Sequence, residues 1–161
     1  MKLVHVIPHM DDEATGPSQS VARLCEALVV EGQDVELHTM AARSPPSGVE
    51  LVVHEEWRPT GRFGFSAGLI QSLRHSSADA DILHNHSLWS YPNMAAGLAV
   101  KSGAATLVTS PRGTLAPAAR ARSTLKKWIF KPIQWQAITR AACLHATSNM
   151  EYADIRELGL R

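Results

Sequence analysis

The stretch LHNHSLW, at positions 83–89, holds the residue types best suited to chemistry in this sequence. On a strand, His84 and His86 point to the same face, so the pair could ligate a metal ion. No cysteine or carboxylate lies within the stretch, so we expect no metal and interpret His84 as a buried, hydrogen-bonded residue. His86 is the candidate catalytic residue, able to hydrogen-bond a sugar hydroxyl or a phosphate. Trp89 could stack on a sugar face or seal the core.

A second stretch, SPRGT, ends a predicted strand and places a guanidinium beside a glycine. Arg112 could recognise an anion there, with Gly113 allowing a tight turn, and the alternative is a surface salt bridge. A third candidate is Gly16, which opens a predicted helix and could let a phosphate or a sugar approach the backbone. The alternative at Gly16 is a plain turn with a good helix cap.

The segment from 112 to 140 carries seven cations and no acidic residue, with aromatic residues interleaved. This pattern could hold the protein on an anionic membrane surface, at about 1 kcal/mol per suitably placed basic residue. A solvated helix face whose aromatic residues pack on a sheet is the commoner arrangement. No nucleic-acid-binding motif accompanies the cations, so we expect no nucleic-acid partner.

Alternating strand and helix patterns give these stretches their positions. Short apolar runs predict strands at 2–8, 35–40, 49–54, 81–86, 105–110 and 143–147. Helical spacing predicts helices after Gly16 and over 65–73, 91–101, 123–142 and 150–158, with Pro132 kinking or splitting the fourth. Such an order predicts an α/β fold with a doubly wound, mainly parallel Rossmann-like sheet of about six or seven strands flanked by helices. Ligands of these sheets bind beyond the carboxyl ends of the strands, which favours the loops after Pro8, Met40, His86 and Ser110.

Length and composition fit a single domain over residues 1–161. The net charge of +1 makes no case for a strongly charged partner. Cys25 and Cys143 lie in apolar-periodic contexts, so we expect two buried, reduced thiols. Neither a signal peptide nor a membrane span is predicted, so we expect a cytoplasmic protein. Peripheral contact with the inner face of the membrane, through the basic segment 112–140, stays open.

Four segments, in order, carry a family resemblance. They are GPSQSVARLCEALVVEGQDVELHT from Gly16, DILHNHSLW from Asp81, SPRGTLAPAARARSTLKKWIF from Ser110 and LHATSNMEYADIRELGL from Leu144. Together they resemble the N-terminal domain of GT-B glycosyltransferases of family 4, the group 1 glycosyltransferases. The resemblance spans nearly all of the chain.

The resemblance implies an active site between two Rossmann-like halves, the N-terminal half binding the acceptor and the C-terminal half the nucleotide sugar. It implies transfer of a hexosyl unit, with retention of configuration, to a saccharide or lipid-linked acceptor in cell-surface polysaccharide biosynthesis. No metal or other cofactor is implied. The basic pair and the E-x7-E motif of the family's donor domain have no counterpart here. The C-terminal donor-binding domain is therefore expected to be absent from this chain, and the chain alone to be inactive.

The resemblance, carried over by position, makes His86 the residue near the reaction centre. The first of the four matched segments, from Gly16, supplies a loop close to the donor phosphates. The third segment, from Ser110, supplies an element that faces the cleft. The expected substrate-binding residues are Gly16, Pro17, Ser18, Trp89, Arg112 and Gly113. Acceptor specificity is expected in the loops 9–15 and 58–65.

Two other functions stay open at this point. A self-standing Rossmann-like or flavodoxin-like module would bind a ligand without catalysis. A nucleotide-sugar epimerase half would keep the fold but exchange the reaction. The spacing of His86 and Trp89, together with the P-R-G element, favours the transferase.

Overall fold

The computed structural model describes residues 1–10, 16–43, 45–57, 59, 63–100, 105–122 and 125–160, with the side chains of all of these except 125–130. The strands in this part of the chain are β1 (Lys2–Val6), β2 (Asp34–Thr39), β3 (Glu50–Val53), β4 (Ile82–His86), β5 (Thr106–Ser110) and β6 (Cys143–Leu144). The helices are α1 (Gly16–Val30), α2 (Leu69–Ser76), α3 (Tyr91–Ala99), α4 (Pro117–Ala121), α5 (Leu125–Arg140) and α6 (Asn149–Glu157).

The six strands form one sheet in the order β3-β2-β1-β4-β5-β6, and every pair of neighbours is parallel. The order reverses between β1 and β4, because the chain builds one half of the sheet outward from β1 and then returns to build the other. This confirms the predicted doubly wound α/β fold with a Rossmann-like sheet. It also marks the carboxyl ends of β1 and β4 as the place where a ligand should bind.

Apolar residues cover both faces of the sheet. On one face, Val4, Val6 and Leu83 are buried in a cluster with residues of α2 and α3. On the other face, Leu3 and the β2 residues pack against Val21 and Cys25 of α1. Each fully buried aliphatic side chain contributes about 2 kcal/mol, so the central strands and the helices that cover them form a firm platform for the loops at the sheet edge.

The ends of α1 and α6 lie at residue types that favour helix ends. Helix α1 begins at Gly16, as predicted, and the chain leaves it through Gly32, whose φ of 77° is in the left-handed region that glycine adopts without strain. Helix α6 is capped by Ser148, whose Oγ accepts a hydrogen bond from the backbone N–H of Glu151 at 3.1 Å. This confirms the predicted start of the last helix.

Several details differ from the sequence predictions, and one is that α2 begins at Leu69 rather than at Phe65. Helix α5 continues through Pro132, so of the predicted kink or split the split does not occur, and the short α4 that precedes it was not predicted. Cys25 is buried, and burial raises its pKa to about 12, whereas Cys143 is exposed. The prediction for Cys143 was wrong because β6 is an edge strand of only two residues.

Parts of two predicted features lie outside the described residues. Positions 11–15 and 58 and 60–62 belong to the two loops expected to select the acceptor, and the side chains of 123–130 belong to the basic segment. Among the helices that the structure describes, none has the length and hydropathy that crossing a bilayer requires.

Candidate functional site

Three histidines from neighbouring strands lie together at the carboxyl edge of the sheet. The parallel register pairs His5 of β1 with His84 of β4, and His86 lies on the same face two residues further along. The Nδ1 atom of His5 is 3.0 Å from Nε2 of His86, and the ring centroids of His84 and His86 are 4.0 Å apart. The side chain of His86 is 0% exposed. The cluster therefore lies beneath the edge of the sheet rather than on its surface.

Arg112 joins this cluster to helix α1. Its Nε–H donates to Nδ1 of His86 at 3.2 Å, and its Nη1 donates to Oγ of Ser20 at 2.7 Å. A guanidinium can only donate, so Nδ1 of His86 accepts and the proton of the neutral ring lies on Nε2. That Nε2–H in turn donates to Nδ1 of His5. The direction of the whole hydrogen-bonded chain is thus fixed by Arg112.

A second hydrogen-bonded chain runs across β5. The Oγ atom of Ser110 lies 2.8 Å from Nε2 of His84 and 3.0 Å from Nδ1 of His145. A hydroxyl donates one hydrogen bond and accepts others, so Ser110 links the two rings by donating to one and accepting from the other. The buried position predicted for His84 is confirmed, with Ser110 as its partner.

The environment keeps the three clustered histidines neutral at neutral pH. Burial, followed by the charge of Arg112, lowers the pKa of His5 to about 4. Burial, followed by the neighbouring His5, lowers the pKa of His84 to about 3. Burial also holds the pKa of His86 well below its usual value. The one permanent cation of this cluster is therefore the Arg112 guanidinium, so a negatively charged ligand group would be attracted to that residue.

The same three histidines have ring nitrogens within 4.8 Å of one another, a spacing that a metal site would also require. A metal-bound histidine normally donates its second ring N–H to an acceptor. At His86 the second nitrogen instead faces a donor, the Nε–H of Arg112, so Nε2 keeps its proton and has no lone pair for a metal. The contacts of His86 fit a hydrogen-bonded chain better than a set of metal ligands.

The turn after β5 aims Arg112 at the histidines. Both Arg112 and Gly113 have positive φ angles, 53° and 77°, which glycine adopts freely and arginine does not. The buried carboxylate of Glu151 holds this turn, because its Oε1 accepts from the N–H of Gly113 at 2.7 Å. Its Oε2 accepts from both the backbone N–H and the hydroxyl of Thr147, each at 2.7 Å. Glu151 therefore ties the loop after β5 to the loop after β6.

A cleft of about 460 Å³ opens between these loops and the first turns of α1. Residues of α1 form one wall and the two loops form the other; the described lining is Gly16, Pro17, Ser20, Leu24, Arg112, His145 and Thr147. The N-terminus of α1 and the guanidinium of Arg112 share this cleft, and both favour an anion. The structure thus brings together two predicted features, Gly16 at the start of α1 and Arg112 of the SPRGT stretch.

The remaining predicted site residues lie around the cleft rather than along its described lining. Ser18 is buried, and its Oγ donates to the carbonyl of His9 at 3.2 Å. Gly113 forms the turn, and His86 lies behind Arg112. Trp89 is half-buried against an apolar cluster that includes Leu115, and its indole N–H donates to the carbonyl of Thr114 at 3.2 Å.

Asn93, at the start of α3, holds the end of β4 in place. Its Nδ2 donates to the carbonyl of His86 and to Oδ1 of Asn85, both at 2.8 Å, and its side chain is fully buried. The loop between them contains two non-glycine residues with positive φ, Ser87 at 75° and Trp89 at 71°. These contacts stabilise a backbone path that ordinary residues seldom adopt.

Another buried polar chain lies on the opposite face of the sheet. Oε1 of Glu36 accepts from Nε2 of His38 at 2.6 Å and from Oγ of Ser76 at 2.5 Å. Nδ1 of His38 lies 2.8 Å from Nε2 of His54, whose pKa burial lowers to about 4. This chain joins β2, α2 and the end of β3, and none of its members lines the cleft beside Arg112.

Sequence reasoning missed several residues that complete the site, namely His5, Ser20, His145, Thr147 and Glu151. A single histidine in an apolar strand gives no sign of function, and the signal for His5 lies in its register beside His84. Glu151 lies within a matched segment, but its partner Gly113 is 38 residues away and only the fold joins them.

Comparison with known proteins gives one family. The model of the glycosyl transferase 4-like domain matches residues 15–161. No curated protein matches the chain.

Proposed function

The chain belongs to the glycosyl transferase 4-like family, and we propose that it is the acceptor-side domain of a retaining glycosyltransferase. The enzyme moves a hexosyl unit from a nucleotide sugar to a saccharide or lipid-linked acceptor, in cell-surface polysaccharide biosynthesis. A second domain supplies the donor-binding half. Retention and the cellular process rest on the family resemblance alone.

The observation that carries the proposal is the position of Arg112, in one cleft with the N-terminus of α1. Loss of a nucleoside diphosphate from a sugar leaves negative charge on the departing phosphate. A guanidinium and a helix N-terminus, both fixed before the reaction, stabilise such charge without a metal. The cleft lies at the carboxyl edge of the sheet, which the second domain would close.

His86 and Arg112 act as one unit in this proposal. The guanidinium faces the cleft and meets the substrate, whereas His86 accepts its Nε–H and orients it. Gly16 and Pro17 let the sugar phosphate approach the backbone of α1, and Ser18 fixes the first turn of that helix through His9. Each group thus has a role that its observed contacts allow.

The test uses the complete enzyme, in which this chain is joined to its donor-binding domain. A panel of nucleotide hexoses is incubated with saccharide and lipid-linked acceptors, and the anomeric configuration of any product is determined by NMR. We expect transfer with retention, and a fall in kcat/KM of roughly 10²-fold for Arg112→Gln. Arg23→Gln, on an exposed position of α1, is the matched control and should leave kcat/KM unchanged.

Other outcomes select other functions. Conversion of the free nucleotide sugar without transfer would identify an epimerase, and inversion of configuration would refute the retaining mechanism. Absence of turnover with every nucleotide sugar would favour a binding module. The chain of residues 1–161 by itself is expected to give no turnover, because the proposal assigns donor binding to a second domain.

A further inference from the structure

A second open cavity, of about 560 Å³, lies beyond the carboxyl end of β3. Its described lining includes Glu55, Glu56, Trp57 and Phe65. We propose that this cavity is a subsite for an uncharged saccharide, in which Trp57 stacks on the apolar face of a pyranose and Glu55 accepts hydrogen bonds from its hydroxyls. The inference rests on the proposed function, because it assigns part of the acceptor to this place.

Trp57 has the placement of a stacking platform. Its side chain is 60% exposed, which is unusual for so large an apolar group. The backbone holds it in place, since its N–H donates to the carbonyl of Phe65 at 2.8 Å. Its ring meets that of Phe65 edge to face, with centroids 6.2 Å apart, and Phe65 in turn contacts Tyr91 at 4.8 Å. The indole is thus supported by other aromatic rings while much of its surface faces solvent.

The two carboxylates of the cavity have different roles. Oε1 of Glu56 accepts from the backbone N–H of Gly64 at 3.0 Å, so this side chain fixes the wall. Glu55 is exposed at the rim, where its oxygens can accept hydrogen bonds from a ligand. An ionised carboxylate accepts but does not donate, and sugar hydroxyls are donors. Two negative charges would repel a phosphate, so the cavity favours a neutral saccharide over a nucleotide.

The position of the cavity within the fold sets a minimum length for an acceptor that fills it. Strand β3 is at one edge of the sheet, and β2, β1 and β4 separate it from β5, which ends two residues before Arg112. Four strand spacings of about 4.8 Å amount to roughly 19 Å, which is more than one pyranose ring can bridge. An acceptor that reaches both the Trp57 cavity and the Arg112 cleft must therefore contain more than one sugar unit.

The direct test is binding of uncharged hexose trisaccharides to the 161-residue chain labelled with 5-fluorotryptophan. The ¹⁹F resonance of Trp57 is identified by its absence from the spectrum of Trp57→Phe. We expect that resonance to shift with at least one of the gluco-, galacto- and manno-trisaccharides at millimolar concentration. Trp57→Ala should weaken binding about tenfold, whereas Trp57→Phe should keep most of the affinity.

Tyr152→Ala is the matched control, because Tyr152 is an aromatic residue of similar exposure, 58%, on α6 and is not among the described residues of this cavity. Equal affinities for Trp57→Ala and Tyr152→Ala, or an unmoved Trp57 resonance with all three sugars, would overturn the inference. If the complete enzyme transfers hexose and Trp57→Ala leaves the acceptor KM unchanged, the subsite fails while the proposed function stands. If no hexose is transferred, the proposed function itself fails.

Discussion

The Nε–H of Arg112 donates to Nδ1 of His86 over 3.2 Å, so a cation that faces the cleft is joined directly to a fully buried histidine. This contact sets the tautomer of His86 and, through it, makes Nδ1 of His5 an acceptor. The proton positions on His86 and His5 therefore depend on the guanidinium at the cleft. The same contact means that the buried His86 helps to orient the guanidinium.

The tautomer of His86 can be observed directly. In ¹⁵N-histidine-labelled protein at neutral pH, we expect an unprotonated Nδ1 and a protonated Nε2, because the guanidinium offers only donors. Arg112→Met removes the donor and should alter the His86 signals, while Arg23→Met should not. A proton on Nδ1 of His86 in the unchanged protein would contradict the proposed hydrogen-bonded chain.

Acid should destabilise the fold before most carboxylates titrate. Histidines of the unfolded chain titrate near pH 6.5, whereas the pKa of folded His5 is about 4 and that of His84 about 3. The unfolded state therefore binds more protons in this window, so stability is full above about pH 6.5 and falls as the pH drops towards 4. His5 alone would account for roughly 3 kcal/mol over the whole window.

Urea unfolding between about pH 7 and pH 5 measures this dependence. His5→Gln should reduce the change in unfolding free energy per pH unit, whatever its effect on absolute stability. His75→Gln replaces an exposed histidine and should retain the dependence of the unchanged protein. The pKa assignments would be wrong if both variants showed that same dependence.

The buried carboxylate of Glu151 should matter far more than an exposed one on the same helix. Glu151→Gln puts an amide group where an oxygen now accepts from Gly113 or Thr147, so an N–H donor of the loops would face another N–H donor at this buried side chain. We expect a loss of about 2 kcal/mol or more in the free energy of unfolding. Because the turn also aims Arg112, anion binding in the cleft should weaken as well.

The matched control for Glu151 is Glu157→Gln. Glu157 is 67% exposed, and its Oε1 lies 3.8 Å from Nη2 of Arg120. An exposed ion pair of this kind contributes less than about 1 kcal/mol. Chemical denaturation of the two variants, side by side, provides the measurement. Equal losses of stability would show that Glu151 does not hold the turn.

The sequence predicted the fold better than the site. Alternating apolar periods specify strands and helices locally, which is why α1, β4 and β5 were placed nearly to the residue. Periodicity carries no information about which strands become neighbours, so the meeting of His5 with His84 could not be predicted. The direction of Arg112 depends on its own positive φ and on a carboxylate 39 positions along the chain, and neither is visible in a local pattern. The exposure of Cys143 likewise depends on β6 being an edge strand.

Helix α3 packs closely against α5 at Gly97. For this reason a change from glycine to alanine there should lower stability, although helix propensity alone would predict a gain. Replacing a glycine inside a helix by alanine normally stabilises it by up to about 1 kcal/mol. A Cβ at Gly97, however, would overlap the Cβ of Ala137 on α5. Gly97→Ala should therefore destabilise the fold, by about 1–3 kcal/mol.

The second change Ala137→Gly removes the overlap with the new Cβ. The double variant should therefore be more stable in thermal unfolding than Gly97→Ala alone. A less stable double variant would contradict this packing.

In the complete enzyme, the contribution of His86 to turnover can be measured separately from its contribution to stability. His86→Ala should lower kcat/KM roughly 10²-fold, because the guanidinium loses the acceptor that orients it. If His86 acts through Arg112, its removal from an Arg112→Ala enzyme should cost only a small further factor, since residues that act as a unit are not additive. Multiplicative losses would instead show that His86 meets the substrate independently. Unfolding measurements on each variant separate these kinetic effects from the loss of a buried ring, which is expected to lower stability in both backgrounds.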